Sequence, residues 1–209
     1  MNMKGISGMN PNALFSITYG LYWLSVRSYG QDNACIINTA VQVAGDPPTI
    51  SISLNKANKT HDMIMESGRF NVSALTVDAP FALFERFGMQ SGRDVNKFIG
   101  FEDVRRVDNG LYVLSRYANS YFSCRLLRTV DLGSHTLFIA ALEDAQVLSD
   151  RPSCTYSYYH SDIKPKPQPV QKKGWVCSVC GHVYEGEDIP DDYICPLCKH
   201  GREDFRRLE

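Results

Sequence analysis

Four cysteines near the C-terminal end, Cys177, Cys180, Cys195 and Cys198, form two Cys-x-x-Cys pairs with fourteen residues between them. Each pair makes a short loop whose sulfurs converge, and the spacer lets one loop fold back onto the other. The spacing therefore predicts a tetrahedral thiolate cage for a metal ion. Thiolates select zinc or iron over hard cations, and spacing alone leaves those two open. A disulfide pairing is the bland alternative, weakened by the recurrence of the same spacing in both pairs. The other three cysteines, Cys35, Cys124 and Cys154, lack any pairing pattern and are expected to be small buried hydrophobes.

A second constellation lies between Asn33 and His61, where the chain reads as strand, Asp46-Pro47-Pro48 turn, strand and helix start. The small residues Asn38, Thr39, Ala40 and Ser53 leave room for a flat ring to approach the backbone. Asn55, Lys56, Lys59 and Thr60 gather donors and positive charge where the helix begins, and a helix N-terminus attracts phosphate through its free amides and its dipole. A polar turn leading into a capped helix explains the same residues without a ligand. Among the histidines, His61 is expected on the helix surface, while His182 and His200 flank a cage that four sulfurs already complete.

The segments that must position these groups are mostly β. Residues 21–28, 34–43, 49–54, 70–75, 111–114, 121–130 and 136–147 are rich in β-branched or aromatic side chains and are mostly bounded by Gly, Pro, Asp or Asn. Helical patterns cover 60–67, with Asn58 as a possible cap, and 80–87, which opens on proline. Many short strands with few helices predict a mainly β fold, a closed or split barrel, for residues 1–163. The prolines in Lys164-Pro-Lys-Pro-Gln-Pro169 mark 164–173 as an extended linker, leaving 174–209 as a small metal module.

Charge divides along the same line. Of the 22 Lys+Arg and 23 Asp+Glu, four and eight fall from Gly174 onward, so that module is net −4 and the rest net +3. Such opposite signs can steer the docking of modules. No apolar run reaches the roughly 18 residues of a membrane span, and the first residues lack a basic start followed by a hydrophobic run. Unpaired cysteines suit a reducing compartment, so a cytoplasmic protein with neither a membrane nor a nucleic-acid partner is expected.

The segment Trp175-Val-Cys-Ser-Val-Cys-Gly-His-Val-Tyr184, followed by Ile189-Pro-Asp-Asp-Tyr-Ile-Cys-Pro-Leu-Cys198 and Phe205, resembles a rubredoxin with a shortened insert. That resemblance implies one iron in Cys177, Cys180, Cys195 and Cys198, over a small core of Trp175, Tyr184, Tyr193 and Phe205. Lys199 stands where such proteins commonly have Gly, which asks a side chain to accept a positive φ. Upstream, Tyr19-Gly-Leu-Tyr22, Ser67-Gly-Arg-Phe-Asn-Val72, Lys97-Phe98 and Gly133-Ser-His-Thr-Leu-Phe-Ile139 resemble the flavin reductase-like FMN-binding family. This implies a split barrel with FMN at Asn38, Thr39, Ala40, Ser53, Asn55, Lys56, Lys59, Thr60 and His135. Ser134 replaces the Asp often found before that histidine, so His135 reads either as a pocket residue or as a structural one.

The combination resembles the high-molecular-weight rubredoxins. It implies hydride transfer from NAD(P)H to FMN, with no side-chain acid or base, then single electrons through the iron to a redox partner such as a flavodiiron protein reducing nitric oxide or oxygen. A homodimer with flavin near the subunit interface is implied as well. Two other readings stay open: a flavin reductase that releases reduced flavin and carries a structural metal module, and a flavin- or haem-binding module whose zinc ribbon recruits a partner.

Overall fold

The computed structural model describes residues 10–166 and 174–208. The chain forms two compact units, Met1–Ser161 and Asp162–Glu209. Most of the expected linker, 167–173, lies outside the described residues.

In the first unit, seven strands form one antiparallel sheet: β1 (Tyr22–Ser28), β2 (Gln31–Ile37), β3 (Val41–Gly45), β4 (Pro48–Asn55), β5 (Arg69–Leu75), and, after the short β6 (Val104–Arg106) and β7 (Tyr112–Leu114) ribbon, β8 (Ala118–Asp131) and β9 (His135–Val147). Their order is β2-β1-β5-β8-β9-β4-β3. The outermost strands, β2 and β3, are consecutive in sequence and joined by residues 38–40 alone. Laid flat, seven strands would hold them about 29 Å apart at about 4.8 Å per step, whereas so short a connection spans at most about 15 Å. The sheet must therefore curl until its edges meet. Because β2 and β3 share no ladder among the described residues, the result is a barrel with an open seam.

The expected single strand over 34–43 is thus two strands. Asn38-Thr39-Ala40 are small, and they cross the seam instead of extending a ladder. Inside the barrel, alternate residues of the strands meet: Leu24, Val26, Ile37, Ile52, Phe70, Val72 and Phe138 are buried in one cluster. Each such side chain contributes roughly 1.5–3 kcal/mol by leaving water.

Helix α1 (Lys59–Ser67) packs against β1 and β2 and adds Met63 and Ile64 to that cluster. Asn58 caps it as expected, its side chain accepting from the Thr60 amide, and Gly68 ends it in the left-handed conformation at φ 66°. The second expected helix is a short α2 (Phe81–Phe84) running into a π-helical turn, Glu85–Met89. Trp23, fully buried, meets Phe87 and Phe98 edge-on and fixes that turn against the sheet. Tyr156 and Tyr158 lie in a last helical turn followed by Tyr159, which packs on Phe84 with ring centroids 4.6 Å apart. Cys35, Cys124 and Cys154 are buried, as expected. Among the described residues, no helix is long and apolar enough to cross a membrane.

The second unit is a three-stranded sheet, β10 (Gly174–Cys177) between β11 (Val183–Tyr184) and β12 (Phe205–Leu208). Tyr193 meets both Tyr184 and Phe205 edge-on, and Trp175 joins them against buried Ile189, so the expected aromatic core is present with one aliphatic addition.

Candidate functional site

The two cysteine loops are near copies of each other. The Cys177 amide donates to the His182 carbonyl and the Cys195 amide to the His200 carbonyl, both at 2.8 Å. Each loop then closes with a 2.9 Å bond, from the Gly181 amide to the Cys177 carbonyl and from the Lys199 amide to the Cys195 carbonyl. Both closing residues need positive φ, 80° at Gly181 and 62° at Lys199. Lysine thus bears the left-handed conformation that its place in the loop predicts, at a cost glycine would avoid.

The loops bring the four sulfurs within 4.8 Å of one another. Cys177 and Cys198 stand 3.5 Å apart, and Cys180 and Cys195 3.4 Å. Thiolates about 2.3 Å from a central ion would form a tetrahedron with edges of about 3.8 Å, so the donor set fits a thiophilic metal. Burial pushes the Cys180 thiol up to about 11 and raises Cys198 also. Burial acts on Cys195 in the same sense, but the amides of Cys198 and Leu197 and the neighbouring thiols outweigh it and lower that group. Four thiols held this closely resist joint ionisation until a cation compensates them. The histidines stay outside the cage: His182 bonds the Tyr193 hydroxyl at 3.2 Å and His200 the Cys198 carbonyl at 3.0 Å.

The expected ring and phosphate residues of the first unit fall into three groups. At the seam, Val41 pairs with Ser51, so Thr39 would stand opposite Ser53 had the ladder continued. Instead the Thr39 hydroxyl donates to the Ser53 carbonyl at 3.0 Å and accepts from its amide at 3.1 Å. A side chain replaces a missing strand there, with Asn38 half-buried and Ala40 buried beside it.

The second group gathers at the end of β4. Asn55 pairs with His135 across β4 and β9, and its side chain accepts from the Ala57 amide at 2.9 Å. Lys56 turns to Asp131 on the β8–β9 hairpin at 2.7 Å, and the Ser134 hydroxyl lies 2.9 Å from His135 Nδ1.

Of the third group, Lys59 lines a polar cavity of about 530 Å³ beside β2, within the size range of small-ligand sites. Lys59 reaches into its wall and donates to the Gly92 carbonyl at 3.0 Å, while Thr60 is buried and accepts from Asn33 Nδ2 at 2.9 Å. Arg93 and Lys97 also line the cavity. Burial lowers the pKa of Lys97, whose ammonium donates to the carbonyls of Ala34 and Phe87. A Cβ on Gly92 would come within 2.3 Å of Asn33 Oδ1, so a larger residue there would displace the Asn33 side chain from Thr60. Asp32 and Asp94 line the same cavity, so its wall carries charge of both signs, and Arg93 is already paired with Asp62.

His61 corrects the sequence reading. It is buried, not on the helix surface: Nε2 lies 2.9 Å from the Thr136 hydroxyl, Nδ1 lies 3.0 Å from Asp62, and the ring stands edge-on to Phe138. The hydrogen bond from His61, then that from Arg93, hold the Asp62 carboxyl below its usual range. Asn33 and Arg93 escaped the sequence reading. Their partners, Thr60 and Asp62, lie 27 and 31 residues away, and no local pattern signals such contacts.

The flavin reductase like domain model matches residues 14–166, and the rubrerythrin, rubredoxin-like domain model matches 175–206. A high molecular weight rubredoxin from Moorella thermoacetica is 33% identical over 230 residues, covering 96% of this chain and all of the relative. The chain belongs to the high-molecular-weight rubredoxin family. The chain is also 35% identical over 158 residues to a ferric-chelate reductase (NAD(P)H) from Archaeoglobus fulgidus, with 76% of this chain and 93% of the relative covered. An FMN-binding protein from Thermus thermophilus shares the fold at a TM-score of 0.62 and 24% identity, over 73% of this chain and 86% of that one. The high-molecular-weight rubredoxin plan thus accounts for both units, a flavin reductase-like barrel and a four-cysteine cage.

Proposed function

We propose that the protein is an NAD(P)H oxidoreductase that accepts a hydride on FMN and passes single electrons through iron in the cysteine cage to an external redox protein. A flavodiiron protein that reduces nitric oxide or oxygen is the acceptor we propose. The reading is carried by the joining of a flavin reductase-like unit to a tetrahedral four-thiolate cage in one chain. Flavin takes two electrons and releases them singly, and a mononuclear iron site takes one.

The chain's own residues bind and orient. Asn38, Thr39, Ala40 and Ser53 form the crossing against which the ring lies, with Thr39 tying that crossing to β4. Asn55, Lys56, Lys59 and Thr60, around the start of α1, are the proposed phosphate residues, with Thr60 buried behind the others, and His135 lies at the rim opposite Asn55. Cys177, Cys180, Cys195 and Cys198 hold the iron. Residues 1–163, 164–173 and 174–209 serve as flavin module, linker and metal module. The protein works in the cytoplasm as a homodimer. Support for the dimer comes from β3, an edge strand exposed along its whole length with Val41 and Val43 outward, and from exposed Leu127 and Val130 on β8. Uncovered apolar edges favour pairing with another chain.

The test compares the full chain with the double variant Cys177→Ser/Cys180→Ser, without added free flavin. NADH should still bleach the flavin of the variant, while reduction of a one-electron protein acceptor should be lost. Undiminished acceptor reduction would refute the proposed route.

A further inference from the structure

Lys164 lies next to the cysteine cage without being part of it. It stands ten residues before β10 in sequence, within the second unit, and its side chain is half-buried. Its ammonium donates to the Val179 carbonyl, inside the loop that carries Cys177 and Cys180. Burial pushes its pKa down, while negative charge at Cys180, Cys177 and Cys198 pushes it back up, so the ammonium feels three of the four sulfurs. From Gly174 onward the surroundings are net negative, with four basic against eight acidic residues. Arg202 is engaged elsewhere, with the Ile189 carbonyl and Asp191.

We propose that Lys164 is a positioning residue for electron transfer: anchored on the Val179 carbonyl, its ammonium sets the reduction potential of the iron held by the four cysteines. Four thiolates around ferric iron carry a net charge of −1, and one electron from the reduced flavin makes it −2. No bond forms or breaks and no proton is required. A fixed positive charge nearby stabilises the more negative state and so favours reduction. Because Lys164 is only half-buried, solvent weakens the effect without abolishing it.

This inference rests on the iron reading above. It is tested by potentiometric titration of the full-length, iron-loaded protein, following the ferric-thiolate absorption in wild type and in Lys164→Met, Lys164→Glu and Lys164→Arg. Lys164→Met should lower the equilibrium constant for reduction on the order of threefold to tenfold, where tenfold is about 59 mV for one electron. Lys164→Glu should lower it further, Lys164→Arg should stay with wild type, and 1 M salt should shrink the differences. Equal potentials in Lys164→Met and wild type, or an equal shift in Lys164→Met and Lys164→Arg, would overturn the proposal while leaving the iron reading intact. A wild-type protein with no reversible one-electron iron couple would overturn both.

Discussion

Thr39→Val removes one hydroxyl and almost nothing else, which makes it a sharp probe of the barrel seam. Thr39 Oγ1 is the partner of both the carbonyl and the amide of Ser53, at 3.0 and 3.1 Å, where the β3–β4 ladder has run out. Valine keeps the shape but leaves both backbone groups without that partner. A buried group so stranded costs about 1–3 kcal/mol. Since Thr39 and Ser53 are half-buried, water offsets part of this, and the expected loss is about 2–3 kcal/mol in all. For a unit of this size it lowers Tm by about 4–12 °C. Differential scanning calorimetry of the full chain reads the transition of the first unit, and hydrogen exchange at the Ser53 amide should accelerate alongside. Thr39→Ser keeps the oxygen and should melt near wild type. An unchanged Tm in Thr39→Val, or equal losses in both variants, would refute the view that this side chain ties the crossing to β4.

Two further outcomes follow from the same physics. Cys195→Ser removes a buried donor from the cage, so metal content should fall and residues 174–208 should become protease-sensitive, while the transition of the first unit stays in place; metal analysis and limited proteolysis check this. Lys97→Met strands the carbonyls of Ala34 and Phe87 and should cost about 2 kcal/mol at pH 7. Because burial lowers the native pKa of Lys97, the unfolded chain binds more protons between that value and about 10.4. Wild type should therefore gain stability as pH rises through this window, and urea denaturation should show that slope vanish in Lys97→Met.

The cage was fully legible in the sequence because thiolate ligation depends on residue type and short spacing, both local. The strain at Lys199 was legible for the same reason, since its place in the loop demands positive φ. The seam was not: Asn38-Thr39-Ala40 interrupt no hydrophobic pattern strongly, and only the closure of seven strands shows that the chain crosses there. His61 was misplaced because its burial depends on Thr136, 75 residues away. The short β6, Val-Arg-Arg, carries no strand signal of its own and exists through its pairing with β7. The proposed flavin residues were drawn together as a set through resemblance alone. Their division among seam, β4 end and polar cavity came only from nonlocal contacts.

The claim that electrons pass from the barrel to the cage is tested most directly by anaerobic stopped-flow mixing of the flavin- and iron-loaded protein with NADH, recording both chromophores. The account predicts flavin bleaching followed by loss of the ferric-thiolate absorption within the same molecules. Flavin bleaching with the ferric absorption left unchanged would contradict it.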